Sequence, residues 1–143
     1  MQQISALTLC LVAASIWSHF PGDNTEAIVL EEAQLRNRAI ATVLPKYPKE
    51  AGRRKSSGVV VSRIEFDANG VVTSAEIIEA ADPAFATPTL QALKQWRFKP
   101  IVLSSGEPRR GKGKIIFYFF WKKGRGWCAD PVVFSKESPI KSR

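Results

Sequence analysis

Apolar and polar positions alternate most clearly in the middle of the chain, over residues 58–66. Apolar side chains recur at every second position on one face, and the stretch is rich in β-branched and aromatic residues, which predicts a half-buried strand. Residues 67–70 read Asp-Ala-Asn-Gly, which tolerate positive φ, and a second strand is predicted over residues 71–79. A change of phase in the apolar positions of this second strand predicts a β-bulge. The two strands form a predicted hairpin.

A helical pattern follows the hairpin. The Asp-Pro pair at 82–83 breaks the second strand, and Thr87 is predicted to cap a helix whose first position is Pro88. Pro100 ends this segment. Helical spacing gives it one apolar face that can pack on the hairpin, formed by Leu90, Leu93 and Trp96.

A third strand is predicted over residues 112–121, and it is apolar on both faces. One face is expected to pack on the helix. The other must be covered by an N-terminal helix, by a second copy of the chain or by a partner. The residues after Lys122 show little pattern, so a loosely held basic tail is expected over residues 123–143.

The region before the hairpin, residues 23–43, is predicted to form an N-terminal helix that runs from Asp23 to about Ala41. Asp23, followed three positions later by Glu26, fits a capping box. The expected fold class is therefore α+β: a small three-stranded antiparallel sheet packed by one main helix, in the order ββαβ, and preceded by the N-terminal helix.

The first 22 residues differ from the rest of the chain. Residues 4–17 are apolar and uncharged, and as a helix they reach roughly 20 Å, short of the ~30 Å hydrocarbon core of a membrane. Small residues near the end of this run are typical of a signal-peptide cleavage site, although no Lys or Arg precedes Arg36. Residues 1–22 are therefore predicted to be a signal peptide for export, with a short membrane anchor as the alternative.

The amino-acid composition limits the partners, cofactors and reactions that can be expected of the chain. A length of 143 residues suits one domain, and a formal net charge of +8 favours anionic surroundings or an acidic partner. His19 is the single histidine, and Cys10 and Cys128 have no metal-ligand spacing, so neither a metal nor another cofactor is expected. The acidic residues of the hairpin have no histidine or nucleophile near them, so the chain is not expected to be an enzyme.

Four short motifs occur in a fixed order over residues 44–122. They are Pro45-Lys46-Tyr47-Pro48, Gly58 with Asp67-Ala68-Asn69-Gly70-Val71-Val72, the run from Leu90 to Pro100 that contains Trp96-Arg97-Phe98, and Gly106-Glu107-Pro108. In this order they resemble the TonB C-terminal domain family. The resemblance implies a small periplasmic module that binds a partner protein.

The resemblance also implies where the partner binds. In this family the last strand lies at or near a sheet edge, and a short segment of an outer-membrane receptor adds alongside it, so that backbone groups provide the affinity. The expected partner-binding residues are Lys112, Lys114, Ile115, Ile116, Phe117, Tyr118, Phe119 and Phe120, together with Tyr47 and Pro48. Core packing is the alternative for Tyr47. The basic residues that flank the strand either prevent aggregation or attract an acidic partner.

The expected function is that of a periplasmic protein-binding module associated with transmembrane transport, whose partner is an outer-membrane receptor segment. Two alternatives stay open. One is an anchored energy transducer that couples the proton-motive force to outer-membrane uptake, although no Pro-rich spacer separates residues 17 and 45. The other is a TonB-like scaffold for another envelope protein. A homodimer and membrane association through the N-terminus also remain open, whereas nucleic acid is not expected as a partner.

Overall fold

A computed structural model describes residues 26–129 of the chain. The predicted leader, the predicted cap at Asp23 and the tail beyond residue 129 lie outside the described residues. Within residues 26–129, no helix is both long enough and apolar enough to cross a membrane.

Short helices and strands of unequal length alternate along the described chain. The helices are α1 (Glu32–Arg38), α2 (Lys49–Arg53) and α3 (Ala86–Leu93), and a 3₁₀ turn (Pro83–Phe85) leads into α3. The strands are β1 (Ile28–Leu30), β2 (Ala39–Ala41), β3 (Gly58–Phe66), β4 (Val72–Ala80), β5 (Arg97–Phe98), β6 (Ile101–Val102), β7 (Pro108–Arg109), β8 (Gly111–Lys122) and β9 (Arg125–Ala129).

The main sheet contains five strands, not the three that were predicted. Its order is β1-β8-β3-β4, and β9 also pairs with β8. The three long strands β3, β4 and β8 are antiparallel and form the predicted centre. The two additional strands are β1, which is parallel to β8, and β9. The mixed α+β class is therefore confirmed, and the strand count is corrected.

The predicted hairpin between β3 and β4 is present, and so is the predicted bulge. The register of the two strands shifts twice, because Ile78 and Thr73 of β4 have no opposite residue in β3. The turn is held by Asp67, whose Oδ1 accepts the N–H groups of Asn69 and Val71 at 2.9 Å each. Gly70 has a φ of 82°, and a Cβ there would overlap the Phe98 carbonyl, so this position requires glycine.

The helix after the hairpin begins earlier than predicted. The Asp82 side chain accepts the N–H of Ala84 at 2.9 Å and so starts a 3₁₀ turn that continues into α3. Thr87 and Pro88 therefore lie within α3 rather than at its cap. The local signal of Thr87-Pro88 was weaker than the side-chain hydrogen bond that Asp82 makes immediately after the strand.

The N-terminal helix is shorter than predicted. Residues 28–30 form a strand rather than helical turns, and the capping box of α1 is formed by Glu31 and Gln34. The β-branched pair Ile28-Val29 and the neighbouring β8 backbone favour the strand, because pairing with β8 satisfies backbone groups that a frayed helix end would leave open. α1 contributes one buried side chain, Leu35, to the core.

The core lies between the main sheet and α3 and is largely aromatic. Phe85 stacks on Phe119 with ring centroids 4.1 Å apart, and Trp96 meets Phe117 edge to face at 5.9 Å. The Trp96 indole N–H donates to the Val43 carbonyl at 2.9 Å, so this large side chain is buried without an unsatisfied polar atom. The side chains that are almost completely buried include Trp96, Phe66, Phe85, Phe98, Phe117 and Phe119.

Phe117→Ala and Phe120→Ala test which face of β8 belongs to the core. Phe117 is fully buried, whereas Phe120 is half-buried on the opposite face. We expect Phe117→Ala to lower the free energy of unfolding by about 3–5 kcal/mol, because it removes buried apolar area and leaves a cavity. Phe120→Ala should lower it by much less. Urea denaturation of the two variants measures this difference, and equal losses would show that the face assignment is wrong.

Candidate functional site

Strand β8 is paired on both sides, but the two sides differ. On its inner side it pairs with β3 at consecutive positions from Gly111 to Phe119. On its outer side β1 runs parallel to residues 111–113, and β9 runs antiparallel to residues 118–122. We refer to this outer side of β8 as the β8 edge. Residues 114–117 of the edge lie between the two short strands.

The backbone of Ile116, in this intervening stretch, is bonded to two side chains rather than to a strand. Its N–H donates to Glu32 Oε1 at 3.1 Å, and its carbonyl accepts from Arg36 Nη2 at 2.7 Å. Arg36 also donates to the same Glu32 oxygen through Nε at 3.0 Å and through Nη2 at 2.7 Å. The Glu32–Arg36 pair therefore satisfies the two backbone groups that an added strand would otherwise satisfy.

Arg36 is the more buried member of this pair. Its side chain is 5% exposed, against 29% for Glu32. The guanidinium carbon lies 5.9 Å from the centroid of the Phe117 ring, close enough for a cation–π interaction. Charge-assisted hydrogen bonds at such low exposure are stronger than those of a solvated surface pair. The Glu32–Arg36 pair thus holds α1 against β8.

Gly113 allows the N-terminal segment to approach β8 this closely. A Cβ at position 113 would overlap the Leu30 carbonyl, and it would lie 2.6 Å from Leu35 Cδ1. A side chain at this position would push β1 and α1 away from the edge. The fit between β8 and the N-terminal segment therefore depends on a glycine in the strand.

A cleft of about 420 Å³ opens beside the Glu32–Arg36 pair. Its lining combines apolar side chains with charges of both signs. The basic members come from β3 and β8, and the acidic ones from the start of α1. The lining includes Val29, Glu31, Arg63, Lys112, Lys114 and Ile116. A cleft of this size and composition can take side chains of an extended peptide that runs along the β8 edge.

The second face of the sheet carries a group of partly exposed apolar side chains, which we call the outer patch. Val59 is 36% exposed and Trp127 is 39% exposed, and Trp127 lies 5.7 Å from Phe120, measured between ring centroids. The outer patch consists of Val59, Val61, Ile116, Tyr118, Phe120 and Trp127. Leu35, the buried side chain of α1, packs near Gly113 on the core side. α1 therefore does not cover the second face, which excludes the N-terminal helix among the three expected covers.

The alternation of side chains along β8 divides the predicted partner-binding residues into two groups. Lys112, Lys114, Ile116, Tyr118 and Phe120 point away from the core and are half-buried or exposed. Ile115, Phe117 and Phe119 are buried in the core, with at most 1% exposure. In a paired strand the backbone groups of these alternate residues face β3. The structure therefore assigns Ile115, Phe117 and Phe119 to core packing, which corrects their predicted role as partner contacts.

Tyr47 and Pro48 lie near the C-terminal end of β8. The Tyr47 ring packs against Phe85 and Trp121, with centroids 5.6 Å and 5.7 Å away, and its hydroxyl donates to the Ser56 carbonyl at 2.5 Å. Burial, together with the charge of Asp82, raises the pKa of the Tyr47 hydroxyl. Pro48 is the residue that precedes α2. The geometry of Tyr47 matches the packing alternative.

The strongest electrostatic cluster outside the β8 edge is centred on Asp82. Its carboxylate accepts Arg54 Nε at 3.0 Å, Arg54 Nη2 at 2.5 Å and the Ser56 hydroxyl at 2.6 Å, besides the Ala84 N–H. The hydrogen bonds from Arg54 and Ser56 hold the pKa of Asp82 well below its usual range. The cluster joins the segment after α2 to the start of the 3₁₀ turn and has a structural role.

Two parts of the site were not predicted from the sequence. For β9 a signal was available, because Gly124 follows the apolar run and glycine favours a hairpin turn. In the structure Lys123 and Gly124, with φ of 51° and 76°, close a two-residue hairpin between β8 and β9. Residues 125–129 therefore belong to the sheet rather than to a loosely held tail. For Glu32 and Arg36 the sequence shows only an i,i+4 pair of opposite charges on a helix. Such pairs occur on many helix surfaces, so the pair does not by itself indicate contact with a strand edge.

Comparisons with known proteins identify the family of this fold. The family model described as the Gram-negative bacterial TonB protein C-terminal matches residues 43–120, which is more than half of the chain. This chain therefore belongs to the TonB C-terminal domain family. The family is a non-enzymatic, transport-associated protein-interaction module. Its members interact with outer-membrane receptors and other proteins of the Gram-negative envelope.

A curated relative and a solved structure extend this comparison. The chain is 34% identical to the TonB protein of Vibrio cholerae serotype O1 over 64 residues, which are 44% of this chain and 26% of that protein. The chain thus spans about a quarter of the length of this relative. The solution NMR structure of the Pseudomonas aeruginosa TonB C-terminal domain superposes with a TM-score of 0.50 at 24% identity, over 62% of this chain and 88% of that one. This likeness shows the fold.

Asp82→Asn tests the electrostatic cluster through its pH dependence. Because the pKa of Asp82 is lower in the folded than in the unfolded state, its ionised form stabilises the protein above the unfolded pKa of about 3.9. This stabilisation is lost as the pH falls below about 4. At pH 7 we expect Asp82→Asn to lower the free energy of unfolding by about 1–3 kcal/mol. Urea titrations of the wild type and the variant should converge towards pH 2.

The matched control for this experiment is Glu79→Gln, which removes an exposed carboxylate from β4. Its stability should follow that of the wild type at every pH. If Asp82→Asn and Glu79→Gln gave the same curves, the Asp82 cluster would not contribute to stability.

Proposed function

We propose that this chain is a protein-binding module of the periplasm that takes up an extended segment of a partner protein along the β8 edge. The partner is an outer-membrane receptor segment, and its binding serves transmembrane transport. The segment adds to β8 as a further strand, so its backbone exchanges hydrogen bonds with the backbone of β8.

The observation that carries this proposal is the bonding of Ile116. Its N–H and carbonyl both point away from β3, at the edge of the sheet. The groups that satisfy them are side chains, Glu32 and Arg36. Neither β1 nor β9 reaches this position. These side chains can move away without breaking any pairing between strands. Ile116 is therefore the position at which an incoming backbone displaces the fewest existing strand hydrogen bonds.

The continuous pairing of β8 with β3 also supports the β8 edge as the binding site. Its pairing with β3 extends without interruption from Gly111 to Phe119, and its buried side chains lie in the aromatic core. A partner segment therefore meets a template that is already in strand conformation, which lowers the entropic cost of binding. Strand β4, at the opposite side of the sheet, is a poorer template because two bulges interrupt its register.

The outward side chains of β8 supply the selectivity in this proposal. Lys112 and Lys114 line the cleft beside the edge, and Ile116, Tyr118 and Phe120 belong to the outer patch. A segment added at this edge places alternate side chains over the outer face of the sheet. We expect partner side chains near Lys112 and Lys114 to be acidic or polar, and those near Ile116 to be apolar.

An NMR titration tests the proposed site. The probes are synthetic peptides that correspond to the N-terminal plug segments of outer-membrane receptors, added to the ¹⁵N-labelled chain. We expect the largest amide shifts at residues 112–117, because these residues line the part of the edge that the peptide joins. The Ile116 amide in particular should change, since it exchanges the Glu32 carboxylate for a backbone carbonyl.

The control peptides carry proline at their central position, which removes the backbone N–H that the Ile116 carbonyl would accept. They should bind more weakly than their parents. Shifts confined to β4, or equal binding of parent and proline peptides, would contradict strand addition at the β8 edge.

A further inference from the structure

We infer that residues 28–38, which contain β1 and α1, are a built-in competitor for the β8 edge and must detach before a partner segment can bind there. This inference rests on the proposed function, because it concerns the regulation of the same edge. The segment keeps the edge closed in the free protein, and the partner binds the fraction of molecules in which it has opened.

The chemistry of the Glu32–Arg36 pair carries the inference. A strand that joins an edge presents a carbonyl oxygen to one N–H and an N–H to one carbonyl of the same residue. Glu32 Oε1 supplies the acceptor for Ile116 at 3.1 Å, and Arg36 Nη2 supplies the donor at 2.7 Å. The two side chains thus imitate one residue of an added strand, and the partner backbone cannot occupy their positions at the same time.

Strand β1 blocks the neighbouring part of the edge in the same way. It begins with the Ile28 N–H, which donates to the Arg110 carbonyl at 2.9 Å, and it pairs in parallel with residues 111–113. An extended partner that reaches Lys112 must therefore displace β1. The competitor covers both the backbone at Ile116 and the stretch that leads to it.

The segment is held less strongly than the strands behind it. β1 has three residues, its pairing is parallel, and Val29 is 68% exposed. Its apolar anchors are two side chains, Leu30 at 9% exposure and Leu35, which is fully buried. Parallel pairing is less stable per residue than antiparallel pairing, and short peripheral elements open at lower free energy than the core. Opening of this segment therefore does not require unfolding of the sheet.

The connection after α1 allows such an opening. β2 pairs with β5, and the Lys99 N–H donates to the Arg38 carbonyl at 2.8 Å, so the chain is fixed from the last residue of α1 onward. The residues before Arg38 can then swing away and stay tethered beside the edge. A tethered competitor acts at high effective concentration even when its own contacts are few.

The segment also precedes the part of the chain that the family model matches, which begins at residue 43. Residues 111–120 of the β8 edge lie within the matched residues 43–120, and its competitor lies outside them. The edge thus belongs to the shared module, and its closure is supplied by the preceding residues of this chain.

A reversible lock tests the competition directly. In a Cys10→Ala, Cys128→Ala background, Val29→Cys with Lys112→Cys places two thiols at opposed positions of β1 and β8. Adjacent strands lie about 4.8 Å apart, within the Cα separation that a disulfide spans. The matched control is Glu65→Cys with Ser74→Cys, which links opposed positions of β3 and β4 away from the edge.

The expected results follow from population arithmetic, because the apparent Kd equals the intrinsic Kd divided by the open fraction. With the receptor plug peptides as probes, the oxidised Val29–Lys112 lock should abolish binding. Reduction should return binding to the level of the reduced Lys112→Cys single variant, which lacks the same lysine. The oxidised control lock should bind the peptides like its reduced form. Arg36→Ala should tighten binding by about tenfold, whereas Arg38→Ala, on the same helix, should leave the affinity unchanged.

Hydrogen exchange provides a readout that needs no partner. We expect the Ile116 amide to exchange through opening of residues 28–38, and therefore faster than the Phe117 amide, which faces β3. Arg36→Ala should accelerate exchange at Ile116 and leave Phe117 unchanged.

The two hypotheses fail in different ways. Peptide binding that is equally tight in the oxidised lock and the wild type would overturn the competition and leave the binding function intact. Exchange of Ile116 only through global unfolding would overturn it as well. If no variant bound any peptide but the Ile116 amide still exchanged through local opening, the proposed partner would be wrong. The opening of residues 28–38 would still be supported. Dimerisation of Arg36→Ala would show that the released segment joins a second copy instead, which would also contradict simple competition.

Discussion

The antiparallel pairing of β3 with β8, from Gly58 opposite Phe119 to Phe66 opposite Gly111, determines most of what this domain can do. It turns the side chains of Phe117 and Phe119 into the core, where they meet Trp96 and Phe85. Because side chains of a strand alternate, the same pairing sends Ile116, Tyr118 and Phe120 to the outer face. It also directs the backbone groups of Ile116 away from β3, to the β8 edge. Core, outer patch and edge thus result from one register.

The domain stabilises this strand and its edge by different means. On the inner side a continuous ladder and large buried aromatic rings hold β8 in place. On the outer side the occupants are two short strands and a pair of charged side chains. An exposed strand edge invites uncontrolled pairing with other chains, and covering it with a helix or a short strand is a common protection. In this chain the protection and the proposed recognition site coincide, so protection has to be reversible.

Both apolar faces of β8 were predicted from the sequence, and so was the helix that packs on one of them. The run from residue 112 to 121 shows that both faces are apolar, because side-chain type is readable position by position. The neighbours of β8 within the sheet, β1 and β9, were not predicted, because their patterns are short and weak. The N-terminal region illustrates the same limit. Its helical pattern predicted one helix over residues 23–41, but β8 draws residues 28–30 into a strand.

By itself the sequence determined the β3–β4 hairpin with its bulge, the aromatic helix that follows it, the long apolar strand β8 and the resemblance to a protein-binding family. These features are local or depend on ordered motifs, so neighbouring residues specify them. The tertiary structure decided that Ile115, Phe117 and Phe119 are core residues, that β9 extends the sheet, and that Glu32 and Arg36 bond to Ile116. The reason is physical: any acceptor and any donor can satisfy a backbone group at a strand edge. Which ones do so depends on the segments that the fold brings there.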